Sequence, residues 1–475
     1  MRARVWPRPN RRPRGTGGAA SDIVMGARVE REIVHLVKQI RLNLIFHTSG
    51  RHDAGWKSFE DATTLVDDVD HQIMLAKLAE DAKFDAIFLP DTHAALGTSF
   101  LRKPRRGLDP VILLGAIARE TQHLGLISTM SALTGHPYVV ARAIATLQHI
   151  SKGRAGWNIV TSQEDQALQA LGMPIDEKLD RPTRYERAAE FVEIVTALWD
   201  SFPKEAITAD KENDVYIDTS LTRGVDYHGK HFSSSGILQL PGRYQGDRPV
   251  MFQAGVSAQS REFGAKYADV LFTSQPDLDH DRKFYAEAKA HAAKFGRNPD
   301  HLVVLPGLYA VVGDSEADAR KRKAQFDEML DLNYLVNNLA KQLGLPVEEL
   351  DPNKELPYDL FDSIPTEDEI INYRRGDIGG VAKANEFTVK QLVHHNVNRG
   401  QRAIFGTPEQ IADRIIEWVD TDVADGFNIN VDVQPDGVER FKRVITELQN
   451  RGRFRTEYEH SSFRANYGLP SGETA

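Results

Sequence analysis

GRAGWNIVTS, Gly153 to Ser162, opens with a basic turn broken by glycines, runs into the apolar stretch around Trp157-Asn158-Ile159-Val160, and releases Thr161 and Ser162. That order describes a buried strand with polar groups at its C-terminal end. In a parallel α/β protein, ligands bind at that end. Taken alone, the stretch reads equally as an ordinary core strand with a polar exit loop, so its neighbours decide.

On either side the pattern repeats. Upstream stand the apolar runs Arg41 to Phe46, Asp85 to Leu89 and Leu124 to Thr129, each followed by a helical period, the third helix starting at Pro137 where a first-turn proline is tolerated. Downstream comes a long helix from about Pro182 to Trp199 with apolar positions Ala188, Phe191, Val192, Val195 and Leu198. The strands Pro249 to Gln253, Asp269 to Phe272, an interrupted seventh over Leu302 to Leu305 and Leu308 to Val312, and Gly426 to Val431 follow, each with its helix. Eight strand–helix units predict a (β/α)8 barrel, a TIM barrel with insertions, in one domain over residues 39–475. Ser201 to Arg248 and Leu345 to Ala384 break the repeat and are expected as insertions over the barrel mouth.

Composition narrows the function class. The 475 residues are 41% hydrophobic and 27% charged, as in ordinary soluble domains. No apolar run approaches the roughly 18 residues a membrane span needs. The absence of cysteine removes disulfides, thiolate metal sites and a cysteine nucleophile together, and suits the cytoplasm. Arg2, Arg4, Arg8, Arg11, Arg12 and Arg14 stand near the start with no acid among them, so the rest of the chain is more acidic than the overall charge of −9. Such a body argues against nucleic-acid binding. Residues 1–38, rich in Arg and Pro, have too few apolar groups to fold and lack the apolar region of a secretory signal, so they are expected to be disordered.

The strand exits collect His47, His52, Pro90-Asp91, Ser128 to His136, Asn158 to Ser162, Gln253 to Ser260 and Thr273 to Gln275. They contain no Ser-His-Asp order, HExxH zinc signature or phosphate-binding Walker loop. Asn, Gln, Ser and Thr with a few His orient a ligand that brings its own reactivity. In QAGVSAQSR, Gln253 to Arg261, Gly255 permits a tight turn and Ser257 and Ser260 gather at a helix start; this is a phosphate cradle or a plain N-cap. His52 and His136 can polarise or protonate a bound group or serve the fold. Asp91 can accept from a ring imide or cap a turn.

GRAGWNIVTS, RYERAAEFVEIVTALWDSF (184–202), QAGVSAQSREFGAKYADVLFTSQP (253–276), GTPEQIADRI (406–415) and RGRFRTEYEHSSFRANYGL (451–469) closely resemble the bacterial luciferase-like family. Within it they resemble the two-component flavin-dependent monooxygenases that include the nitrilotriacetate, EDTA, dibenzothiophene-sulfone and long-chain alkane enzymes. The resemblance runs from about residue 40 to the C-terminus. It implies reduced FMN supplied by a separate NAD(P)H:flavin reductase, and dioxygen that forms a C4a-hydroperoxyflavin to oxygenate a small sulfur-containing, aminocarboxylate or similar organic substrate. It also implies a homo-oligomer, dimer or tetramer. Carried over by position, Ser257 and Ser260 meet the phosphate, Asp91, Ser131, Thr134, Asn158 and Ser162 surround the flavin ring and ribityl chain, and His52 and His136 stand as catalytic polar groups near the peroxide. ALQALG, Ala167 to Gly172, departs from the relatives' ARNFG, and His394 and His395 are the nearest counterparts of a histidine in the relatives' second insertion. The rival readings are a deazaflavin-dependent oxidoreductase of the same fold and a non-catalytic flavin-binding protein.

Overall fold

The computed structural model describes residues 38–93, 102–104, 107–161, 165–175, 178–275, 277–364, 366, 369–396 and 402–471. The arginine-rich extension and Ser162 therefore lie outside the described residues. Eight parallel strands close into a barrel: β1 (Arg41–Ile45), β2 (Ala86–Leu89), β3 (Gly125–Ser131), β4 (Ala155–Val160), β5 (Val250–Ala254), β6 (Val270–Thr273), β7 (Val303–Val312) and β8 (Gly426–Val431). Each pairs with the next, and β8 returns to β1 at Arg41↔Gly426. The outer helices used below are α1 (Val69–Asp81), α2 (Pro110–Glu120), α3 (Pro137–Ile150), α4 (Arg181–Ser201), α5 (Ala258–Tyr267), α6 (Leu278–Lys294), α7 (Glu316–Asp327) and α8 (Asp436–Asn450).

A recurrent aspartate sets the strands in register. Asp85, Asp269 and Asp425 each precede a strand, give their own N–H to the carbonyl of Leu42, Met251 and Val304 on the neighbouring strand, and take that residue's N–H on the carboxylate at 2.7–2.9 Å. The phrases FDAIF, ADVLF and ADGFN are the trace this leaves in the sequence.

The quoted stretch is a joint. Gly153, at φ +92°, turns the chain in a conformation that side chains disfavour. Arg154, 3% exposed, then spends all five N–H groups on Ser151 O, Thr121 Oγ1, Leu124 O, Ala118 O and Thr121 O at 2.7–3.0 Å. It thereby ties the end of α2 to the starts of β3 and β4. Trp157 points outward, its Nε1 donating to Met130 O, against Phe191 and Trp199. Gly156 faces inward and leaves room for Phe463, which also sits over Gly125.

Phe463 belongs to a C-terminal tail that fills the lower barrel. With Tyr467 and Leu469 it packs among Phe88, Ile127, Val250, Phe252 and Leu305. Tyr467 Oη donates to Asn43, Asn43 donates to Asn428, and Asn428 donates to Leu305 O, all at 3.0–3.1 Å. Arg455 and Arg464 bolt the tail to Asp85 and Asp269.

Three expectations change. The seventh strand is one continuous element of ten residues, because Pro306 falls where pairing with β6 ends and its missing N–H is not required. An unforeseen strand, Arg402–Gly406, then takes that edge, pairing with Leu308 to Val312. The first insertion is not at the mouth: it joins a helix to the next strand, which places it at the barrel's N-terminal end. It holds two hairpins, Ile207–Asp210 with Val215–Ile217 and Val225–His228 with Ser233–Gly236. The second hairpin climbs α4, where the Glu190 carboxylate accepts the backbone N–H groups of Lys230, His231 and Phe232 at 2.8–3.0 Å. Glu190→Ala should cost about 1–3 kcal/mol and speed amide hydrogen exchange at residues 230–232; unchanged exchange there would contradict this clamp.

Arg402 reaches across to Asp281 on α6, a carboxyl only 2% exposed. Burial pushes Asp281 up to about 6 against the opposing pull of Arg402. The folded chain therefore holds that proton at pH values where the unfolded one, with an ordinary carboxyl near ~4, has lost it. Asp281's contribution to stability is full below about pH 4 and declines as pH rises through about 6. Thermal unfolding across this range should show the wild type losing ground to Asp281→Asn as pH rises.

Candidate active site

Inward residues of β3 alternate as Ile127, Thr129 and Ser131, and those of β4 as Gly156, Asn158 and Val160, so each strand turns from packing to polar as it reaches the mouth. Asn158, 3% exposed, donates from Nδ2 to Thr129 Oγ1 at 3.0 Å. Its Oδ1 is buried and has no partner among the described residues. Thr129, Ser131, Thr134, Asp91 and Val160 line a recess of about 60 Å³ between the exits of β2, β3 and β4. Ser131 Oγ accepts the N–H groups of Leu133 and Thr134, shaping the turn that forms its wall. The structure thus brings Asp91, Ser131, Thr134 and the Asn158 pair to one corner. Ala167, from the ALQALG phrase, is a further lining residue.

The next exit carries the two serines in different roles. Ser257 caps α5, its Oγ accepting the Ser260 N–H at 3.2 Å. Ser260 is 1% exposed, and its Oγ lies between Gln253 Nε2 at 2.8 Å and Oε1 at 3.2 Å. A Cβ at Gly255 would collide with that hydroxyl, so the glycine is fixed by Ser260 beneath it. Of the two hydroxyls expected to form a phosphate cradle, Ser257 stands with the first-turn N–H groups, for which a helix supplies no partner, and Ser260 is hydrogen-bonded to Gln253.

The histidines separate from each other. His136 is exposed as N-cap of α3, and its Nδ1 accepts the Tyr138 N–H at 3.2 Å. His52 lies on the β1–β8 side, 1% exposed. Its Nδ1 accepts the Ala54 N–H and its Nε2 faces Asp327 at 3.1 Å, so both ring nitrogens are already used. The resemblance implies His52 as a polar group near the peroxide; here its ring is held between Ala54 and Asp327. Burial opposes the Asp327 charge, but the His52 hydrogen bond and Lys323, at 2.6 Å, hold the carboxyl below the usual range. His394 stands 3.9 Å away, its own basicity lowered by burial.

This cluster also anchors the second insertion. Helices Leu332–Leu343, Asp359–Ser363, Glu369–Ala384 and Val389–Asn396 form a module with its own apolar core around Leu339, Leu343 and Leu392, wider than the expected segment. Lys57 donates to Met329 O and Arg102 pairs with Asp331 at 2.7 Å, tying the module to the loops after β1 and β2, beside the mouth.

Sequence reasoning collected Thr129 and Gln253 with the strand exits without giving either a role, and passed over Asp327 and Arg184. Thr129 was accessible from strand alternation with Ser131. Arg184 NH1 holds Thr161 O at 3.0 Å where β4 ends; only its place in RYER hinted at this.

Residues 44–425 match the luciferase-like monooxygenase family. The chain belongs to that family. It is 35% identical to N-acetyl-S-(2-succino)cysteine monooxygenase of Bacillus subtilis (strain 168), over 91% of this chain and 97% of the relative. It is also 35% identical to nitrilotriacetate monooxygenase component A of Aminobacter aminovorans, with the same coverages. Among solved structures, a riboflavin lyase with a modified FMN and riboflavin superposes at TM-score 0.75 with 26% identity, covering 91% of this chain and 97% of that one. As a luciferase-like monooxygenase, the protein is a flavin-dependent enzyme on an eight-stranded barrel. No helix among the described residues is long and apolar enough to cross a membrane.

Proposed function

We propose that this luciferase-like monooxygenase is the oxygenase component of a two-component system. It takes reduced FMN from a separate NAD(P)H:flavin reductase and uses dioxygen to oxygenate a small sulfur-containing or aminocarboxylate substrate. The observation that carries the reading is the bare, buried Oδ1 of Asn158 at the polar corner of the mouth. A buried acceptor without a donor is costly, and a ring N–H would relieve it. The donor set fits a flavin: an amide acceptor and small hydroxyls for the ring and ribityl chain, and the capped start of α5 for the phosphate. The names of the relatives support the substrate class, and the words "component A" support a partner protein.

Reduced FMN, when bound, supplies the electrons with which dioxygen is activated. The chain's own residues do the rest. Asn158 is fixed by Thr129, so its acceptor would be held in one orientation toward a ring N–H. Ser257 and the α5 N–H groups hold the anionic end. The helical module beside the mouth keeps water from the reacting centre. His136, exposed at the β3 exit with only Nδ1 engaged among the described residues, is our candidate for the group that would move a proton. We expect the protein to work in the cytoplasm, in keeping with a chain that has no cysteine.

Purified protein, a generic flavin reductase, NADH and FMN should together give substrate-dependent oxygen uptake with one of a panel of thioethers, sulfones and aminocarboxylates. Anaerobic titration should show tighter binding of reduced than of oxidised FMN. Binding of a deazaflavin in preference to FMN, or no affinity for reduced FMN, would overturn the reading.

A further inference from the structure

At the end of the barrel away from the strand exits lies a cavity of about 930 Å³, bounded by the ends of α3 and α4 and the loop that leads into β5. Sites for small organic ligands span about 300–1,000 Å³, so the volume suits one. Its apolar side is built from Trp199, Phe202, Leu221, Leu240 and Tyr244. Trp199 is held from behind: its Nε1 donates to Ala141 O at 2.9 Å, and it meets Trp157 edge-on at 6.1 Å. Tyr244 stands edge-on to His149 at 5.7 Å, and the His149 ring is fixed by Nε2, which donates to Pro241 O at 2.6 Å. The apolar side is therefore a pre-formed surface, and little side-chain ordering would be needed to bind there.

The polar side is unbalanced. Arg243 gives Nε to Asp200 at 2.7 Å and NH1 to Gly246 O at 3.1 Å, which pairs that acid with that base. Lys204 and Arg223, both exposed at the rim, make no side-chain hydrogen bond or ion pair among the described residues. The one other acid of the lining is Glu205. Three bases, Lys204, Arg223 and Arg243, against two acids, Asp200 and Glu205, leave one positive charge in excess, on a chain whose net charge is −9. An apolar wall below an uncommitted guanidinium complements a molecule with an apolar body and a single anionic end. The arginine-rich start of the chain would meet like charge there and does not match.

We propose that this cavity is a second ligand site, for a small amphiphilic carboxylate. The apolar part of the ligand lies against Trp199, Phe202 and Leu240, and its carboxylate meets Arg223 and Lys204. The flavin corner lies at the opposite end of the strands, so the proposal stands independently of the substrate and cofactor.

Calorimetric titration of the full-length protein with naphthoate and with octanoate, each beside the matching neutral alcohol, provides the test. At least one acid should bind about tenfold more tightly than its alcohol, and the pair shows whether a planar or a chain-like body fits. Arg223→Gln should erase that preference by weakening the acid about tenfold while leaving the alcohol unchanged. Leu221→Gln should weaken acid and alcohol alike. Both substitutions replace exposed side chains, so thermal melts should stay close to wild type. Saturating FMN should leave the affinity for the acid within about threefold. No binding of either acid, equal affinity for acid and alcohol, or an unchanged preference in Arg223→Gln would each overturn the proposal. Displacement by FMN would overturn it by placing the ligand at the mouth. Affinity that falls as protein concentration and molar mass rise together would overturn it in favour of a second copy filling the cavity.

Discussion

Arg154→Ala is expected to be the most destabilising single change near the barrel wall, costing about 4 kcal/mol. The guanidinium is buried, and burial lowers its pKa to about 10 with the charges of Glu80 and Tyr458 opposing. Among the described residues it has no carboxylate hydrogen-bond partner: its hydrogen bonds end on carbonyls or the Thr121 hydroxyl. Truncation strands those acceptors, each worth roughly 1–3 kcal/mol when buried and unmet, and water entering the void repays only part. Arg154→Lys keeps the charge but not the five-way fork, and should recover less than about half. Urea unfolding followed by Trp157 and Trp199 fluorescence measures both. A loss under about 1 kcal/mol for alanine would mean that the joint between α2, β3 and β4 is held by other contacts.

Asn158→Leu tests the site rather than the fold. Leucine matches asparagine in shape, and Thr129 can turn its hydroxyl to a nearby carbonyl, so stability should change by less than about 1 kcal/mol. Affinity for reduced FMN should fall by about 2 kcal/mol, roughly 30-fold, because a buried cofactor donor would then face a methyl group. Anaerobic fluorescence titration gives the number directly. Affinity within about threefold of wild type, with the fold intact, would remove Asn158 from the flavin contacts and leave its bare oxygen to a buried water.

Much of the barrel was legible because each strand is a short apolar run ended by a polar exit, and the helices between keep their own period. The seventh strand was read as broken since Pro306-Gly307 is a turn signal in isolation; only knowledge that β6 pairing stops there makes it harmless. Arg402–Gly406 was hidden because five residues beside a variable insertion carry little pattern. For the candidate site the sequence speaks to position along the strands and less to orientation. Asn158, Ser131 and Asp91 follow from strand ends, but whether Ser260 faces a ligand or Gln253 depends on the depth of Gly255, and the burial of His52 depends on Asp327, far away in the chain.

The tail that fills the lower barrel bears on how the molecule is made. Phe463, Tyr467 and Leu469 complete a core whose other walls come from strands synthesised long before, beginning at Ile45. A chain that has laid down all eight strands still has an open, apolar floor over Gly125 and Gly156 until Phe463 docks there. Completion therefore waits for the tail, and until it docks the barrel presents the kind of surface that chaperones bind and that aggregates.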